Sequence, residues 1–166
     1  ASDLKREQTP KLSLAANYNL NQDARRERGQ LKSFVDEDLQ GDILNIQADM
    51  MFKYQGFSVM GEIAQRSADM RNPQYYDANP YYTGSSLNIQ FGYLLKNNWE
   101  PAFRYTTVNP DAVNMDDDAT FSQITFGISR YVVGHNLKVQ SDISLMTNEL
   151  NAEQQIMFRL QAEMQF

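Results

Sequence analysis

The final eleven residues of the chain, Ile156 to Phe166, alternate between apolar and polar without interruption and end on an aromatic. Ile156, Phe158, Leu160, Ala162, Met164 and Phe166 fall on one face, and Met157, Arg159, Gln161, Glu163 and Gln165 on the other. Successive side chains of a strand point to opposite faces, so this period marks a strand lying between two unlike media. About ten residues is also the length at which a tilted strand crosses a bilayer.

The same alternation recurs, giving about eight strands. The apolar and polar rows separate over Lys11 to Leu20, Leu44 to Tyr54, Phe57 to Arg66, Leu87 to Lys96, Trp99 to Val108, Phe121 to Val133 and Leu137 to Leu145, with the terminal segment last. Pro101 cannot donate to a ladder, which places it near the start of its strand. The turns at Gln55-Gly56, Asn97-Asn98 and Gly134-His135-Asn136 are short and carry Gly and Asn, residues that accept the positive φ of tight hairpins. Between them lie the longer polar stretches Asn21 to Asp42, Asp69 to Ser86 and Asn109 to Thr120, and the shorter link Thr147 to Glu153 falls on the same side by count. Short turns on one rim and long loops on the other describe an antiparallel up-and-down transmembrane β-barrel, with the short turns periplasmic. Tyr54, Phe57, Tyr93, Trp99, Tyr131 and Phe166 gather at the short-turn rim, where amphipathic rings favour a headgroup layer.

Composition narrows the function classes. A length of 166 residues suits one domain, read here as a β-barrel domain over 1–166. The absence of cysteine excludes disulfides, zinc-thiolate sites and thiol nucleophiles. A net charge of −6 argues against nucleic acid as partner, since neutralising phosphates needs a Lys/Arg surplus. The mean hydropathy of −0.59 would suggest a water-soluble chain, but half of every barrel strand faces the lumen and is polar. No signal peptide opens the sequence at Ala1, so the chain reads as either mature or a piece of something longer.

A soluble barrel would turn the apolar row inward, whereas a membrane barrel turns it toward lipid. The aromatic rim, the alternation of turn lengths and the aromatic ending favour lipid. That ending resembles the last strand of bacterial outer-membrane β-barrels, which implies recognition of Phe166 by the barrel assembly machinery. The stretches Thr9-Pro10-Lys11-Leu12-Ser13-Leu14-Ala15-Ala16, Arg28-Gly29-Gln30-Leu31 and Ala48-Asp49-Met50-Met51-Phe52-Lys53-Tyr54-Gln55-Gly56-Phe57-Ser58-Val59-Met60-Gly61-Glu62 resemble the C-terminal half of a phosphate-selective porin of the O and P family. Gly134-His135-Asn136-Leu137-Lys138-Val139-Gln140 resembles that family's penultimate hairpin. The resemblance implies a trimeric barrel of about sixteen strands in the outer membrane of Gram-negative bacteria, passing small anions by diffusion. This chain supplies about half of that. Either it is the second half of a longer porin, as the abrupt start at Ala1-Ser2-Asp3-Leu4-Lys5-Arg6-Glu7 suggests, or a reduced form closes on eight strands.

The candidate pore-lining charges are Lys53, Arg66, Arg104, Lys138 and Arg159 against Asp49, Glu62, Glu100, Asp142 and Glu163. Their signs balance, whereas a dedicated anion path calls for a basic surplus. Paired charges bracing the wall are the alternative role. Arg25, Arg26 and Arg28 are candidates for lipopolysaccharide phosphates. Tyr75, Tyr76, Tyr81 and Tyr82, interleaved with Pro73 and Pro80, suit sugar stacking, an inward constriction or an ordered loop packed on its own rings. Asp36-Glu37-Asp38, Asp77 and Asp116-Asp117-Asp118 make the loops acidic without the ligand spacing of an EF-hand. No metal or cofactor is expected. Enzymatic readings lack support, because the single histidine, His135, sits in a tight turn and no Gly-x-Ser-x-Gly elbow or phosphate loop occurs. The expectation is therefore a non-enzymatic diffusion porin for small polar or anionic solutes, with a closed eight-stranded structural or adhesive barrel as the rival.

Overall fold

A computed structural model describes residues 2–28, 31–72, 80–111, 120–134, 136–149 and 153–165. Pro73, Tyr75, Tyr76, Asp77, Asp116, Asp117, Asp118, His135 and Phe166 lie outside these residues, as does the Gly29-Gln30 step.

Eight strands form one antiparallel sheet in strict chain order. They are β1 (Lys11–Ala24), β2 (Gly41–Tyr54), β3 (Phe57–Met70), β4 (Gly84–Tyr93), β5 (Trp99–Pro110), β6 (Phe121–Val133), β7 (Leu137–Asn148) and β8 (Glu153–Met164). Among the described residues the only helical turn is the short 3-10 piece Glu37–Leu39. The sheet is not closed into a barrel within this chain: β1 pairs only with β2 and β8 only with β7.

Most strands run past the limits that apolar alternation predicts, chiefly at the long-loop end. β2 begins at Gly41 and β3 continues to Met70, with Asp42 opposite Asp69 and Leu44 opposite Ser67. Polar residues there erase the hydropathy signal, but a ladder is made by the main chain and persists beneath them. β4 instead stops at Tyr93, short of Lys96, because Leu94 N–H turns to donate to Gly56 O at 2.8 Å. At the β2–β3 connection Gln55 has φ 48° and Gly56 has φ 88°, the two positive values that a two-residue hairpin matched to strand twist requires.

Burial is inverted relative to a soluble sheet. On the apolar face Phe126 is 60% exposed and Phe158 70%, with Leu14, Ile63 and Ile143 also in the open. On the opposite face Ser58, Thr125, Ser129, Asp142 and Ser144 are buried. A cavity of about 560 Å³ on that polar face is lined both by Asn45 and Gln47 of β2 and by Phe121 of β6 and Asn148 of β7. Five strand spacings at ~4.8 Å would set β2 and β7 roughly 24 Å apart on a flat sheet, so the sheet curls toward its polar side.

The one buried apolar cluster among the described residues caps the long-loop end: Ala24, Val35, Ile43, Met70 and Tyr81, with Leu39 and Ala68 against it. Tyr81 donates to Ala24 O at 2.6 Å and accepts from Gly41 N–H at 2.8 Å, tying the loop after β3 to the start of β2.

Candidate functional site

The polar face is assembled by register. Opposed residues of paired strands share a face, so Asp49, Glu62 and Asn88 fall in one row and Gly127, Asp142 and Arg159 in another. All ten candidate charges lie on this side, distributed along the face instead of forming one ring.

Three acidic candidates are held by specific partners. Tyr131 donates its hydroxyl to Glu100 at 2.7 Å. Arg159 reaches Asp142 through Nη2 to Oδ1 at 3.0 Å and Nε to Oδ2 at 3.1 Å. Lys138 Nζ meets Glu163 Oε2 at 3.0 Å, these two residues being direct cross-strand partners. Arg159 and Lys138 are thereby each paired with a carboxylate on the neighbouring strand. Beside them Gln123 donates to Ser144 at 3.0 Å and Thr125 and Ser144 share a bond of 2.8 Å.

Other candidates line open space. Asp49 and Glu62 stand directly opposite each other and border a cavity of about 380 Å³, where Glu62 accepts from Asn88 at 2.9 Å and Thr106 donates to Asn88 at 3.0 Å. Two facing carboxylates repel unless solvent or a cation screens them, so this stretch carries negative potential. Arg66 donates from Nε to Asn45 at 2.6 Å and borders the cavity of about 560 Å³. Arg104 lies with Gln90, Gln140, Asp142 and Arg159 around a narrow gap of about 70 Å³, and its buried Nε has no hydrogen-bond partner. Lys53 is half-buried near the short-turn end, opposite Lys11 and Ser58.

The larger cavity has a roof that the sequence alone did not place. Arg28 stacks on the Tyr82 ring at 4.6 Å, and Lys32 lies over the same ring at 4.6 Å while donating to its hydroxyl at 2.6 Å. That hydrogen bond holds the Lys32 ammonium above its ordinary value. Arg28, Tyr82 and Arg66 all border the cavity, and among the described residues its lining contains two arginines and no carboxylate. The overall balance of signs therefore hides local differences, with Arg28 and Arg66 at this cavity and facing carboxylates at the Asp49–Glu62 level. Of the arginines considered for lipid phosphates, Arg26 stacks on Phe34 at 3.9 Å, while Arg28 is turned to the cavity. The Tyr81–Tyr82 pair divides its roles, Tyr81 buried as a pin and Tyr82 as a cation platform.

The described rings at the short-turn end divide between the two faces. Phe57, Tyr93 and Trp99 are exposed on the apolar side at the short-turn end, with Arg130 over the Trp99 ring at 5.4 Å. Tyr131 lies on the polar face, in alternation with Thr125 and Ser129 and opposite Lys138, and is buried there with its hydroxyl donated to Glu100.

Among the described residues no cluster of His, Cys, Asp or Glu could hold a metal ion. No helix among them is long and apolar enough to cross a membrane, which says nothing about crossing by strands. Comparison of the chain with family models, with curated proteins and with solved structures returns no match in any of the three.

Proposed function

We propose that this sheet is the wall of an outer-membrane β-barrel porin through which small polar or anionic solutes diffuse. The observation that carries the reading is the inverted burial: Phe158 is 70% exposed on one face while Asp142, opposite its neighbour Arg159, is 4% exposed on the other. In water an apolar face of this extent would be an aggregation surface, and lipid is the medium in which it is stable. Free strand edges are costly in hydrocarbon, since each unpaired N–H and C=O lacks a partner there. The β1 and β8 edges accordingly call for further strands, in keeping with a barrel of about sixteen and a trimer of such barrels. The short turns then lie in the periplasm, the loops carrying Arg25 and Arg26 lie near lipopolysaccharide, and Phe166 serves barrel assembly.

The rival is a closed eight-stranded structural or adhesive barrel without a pore. It draws support from the hydrogen-bonded side chains of Gln123, Thr125 and Ser144, which resemble the filling of a small barrel. Single-channel recording of the detergent-purified full-length polypeptide in planar bilayers separates the two. Stable conductance steps are expected of the porin, and a silent, correctly folded protein would favour the rival.

A further inference from the structure

β1 starts at the short-turn rim, where Lys11 pairs with Lys53. The residues before it do not extend along the free edge of β1. They run in the opposite sense across the short-turn rim, toward the turn between β4 and β5. The Asp3 carboxylate is 1% exposed and accepts from Gly56 N–H at 2.8 Å and from Glu7 N–H at 3.0 Å. Arg6 has φ 46°, closes a turn by donating its N–H to Asp3 O at 3.0 Å, and sends its guanidinium to Leu95 O at 2.6 Å and Asn98 Oδ1 at 3.3 Å. Glu7 O accepts from Gln55 N–H at 2.9 Å.

These contacts tie one short segment to the β2–β3 turn and the β4–β5 turn. A connection that only delivered the chain to β1 would need none of them. A buried carboxylate shared between two main-chain N–H groups is a charge-assisted anchor, and it orders a stretch that would otherwise lose little by being mobile. We infer that residues 2–7 form a strap across the polar side of the short-turn rim, and that this strap, together with the wall, sets the aperture at that mouth. The inference rests on the porin reading. It makes Asp3 and Arg6 positioning residues and leaves Lys5 exposed.

The native chain lacks cysteine, so an introduced pair reports on the strap without background. In the full-length polypeptide, Glu7→Cys combined with Gln55→Cys, at positions joined by the main-chain bond from Gln55 N–H to Glu7 O at 2.9 Å, should form a disulfide on mild oxidation, and the locked protein should conduct as the parent does. Excision of residues 2–7 should raise single-channel conductance by about 1.5-fold or more and admit larger sugars in liposome swelling, since selectivity by size follows pore diameter. If the excised protein fails to fold, Asp3→Asn takes its place and should raise open-channel noise by loosening the anchor. Failure of the pair to oxidise in folded protein overturns the strap, and so does unchanged conductance and size limit after excision, or unchanged noise in the Asp3→Asn protein. A folded parent that passes no current overturns the porin reading, and the aperture role falls with it.

Discussion

Arg159 and Asp142 are locked across the β7–β8 pairing by two hydrogen bonds of 3.0 and 3.1 Å, and the two partners are unequally buried. The Arg159 side chain is 45% exposed and Asp142 only 4%. Removing either therefore has different consequences. Arg159→Ala strands a buried carboxylate, whereas Asp142→Ala leaves a guanidinium that water can reach. The first should cost about 1–3 kcal/mol and the second less. Urea unfolding of the two variants in detergent tests the order, and equal losses would refute it.

The opposite facing of Phe158 and Arg159 predicts reagent access. Cysteine at position 158 should react faster with a lipid-soluble maleimide, and cysteine at 159 with a water-soluble one. The reverse preference would place the membrane on the polar side. On the same face Phe126→Arg should destabilise the membrane-inserted protein by ~2–4 kcal/mol, as a charge at mid-bilayer does.

Tyr81 offers a test of the long-loop cap. Tyr81→Phe removes the bond to Ala24 O and the acceptor for Gly41 N–H, which should cost about 1–3 kcal/mol in a fully buried setting. Burial, chiefly, raises the phenol above its usual 10.0, with Asp42 adding to the shift and the Gly41 hydrogen bond opposing it. Because the folded state favours the neutral phenol, its contribution is complete below the unfolded value and fades as pH climbs through the folded one. The stability gap between parent and Tyr81→Phe should therefore narrow above about pH 10, the ordinary tyrosine range, and thermal melts across that range measure it.

Selectivity should depend on which arginines are already engaged. Arg66 borders the larger cavity, whose described lining has no carboxylate, and Arg104 has a buried Nε without a partner, while Arg159 is bound to Asp142. Reversal potentials under a salt gradient should move toward cation preference for Arg66→Gln and Arg104→Gln, and least for Arg159→Gln. A strong anion preference that survives all three replacements would put the selective charges outside this chain's polar face.

The strands and their facing were legible because both follow from side-chain alternation, a local property with a period of two. Phe126, Phe158 and Ile143 were assigned to one face and Gln90, Arg159 and Glu163 to the other, and the register keeps them there. The continuation of β2 and β3 to Gly41 and Met70 was not legible, since main-chain pairing leaves no trace in polar side chains. The even count of charges was legible too, but not its local differences, because which charges become neighbours depends on register between strands.

What the sequence by itself determined is therefore the eight-strand order, the two unlike faces and the short-turn rim, all consequences of local periodicity and turn chemistry. Only the tertiary structure decided that the Tyr131 hydroxyl meets Glu100, that Tyr81 pins Ala24 to Gly41, and that Asp3 and Arg6 bind turns far along the chain. Arg6 at φ 46° and Asp3 opposite Gly56 carry no sequence signature. Those contacts exist because the sheet curls its polar side upon itself, bringing together groups whose separation along the chain gives no hint that they meet.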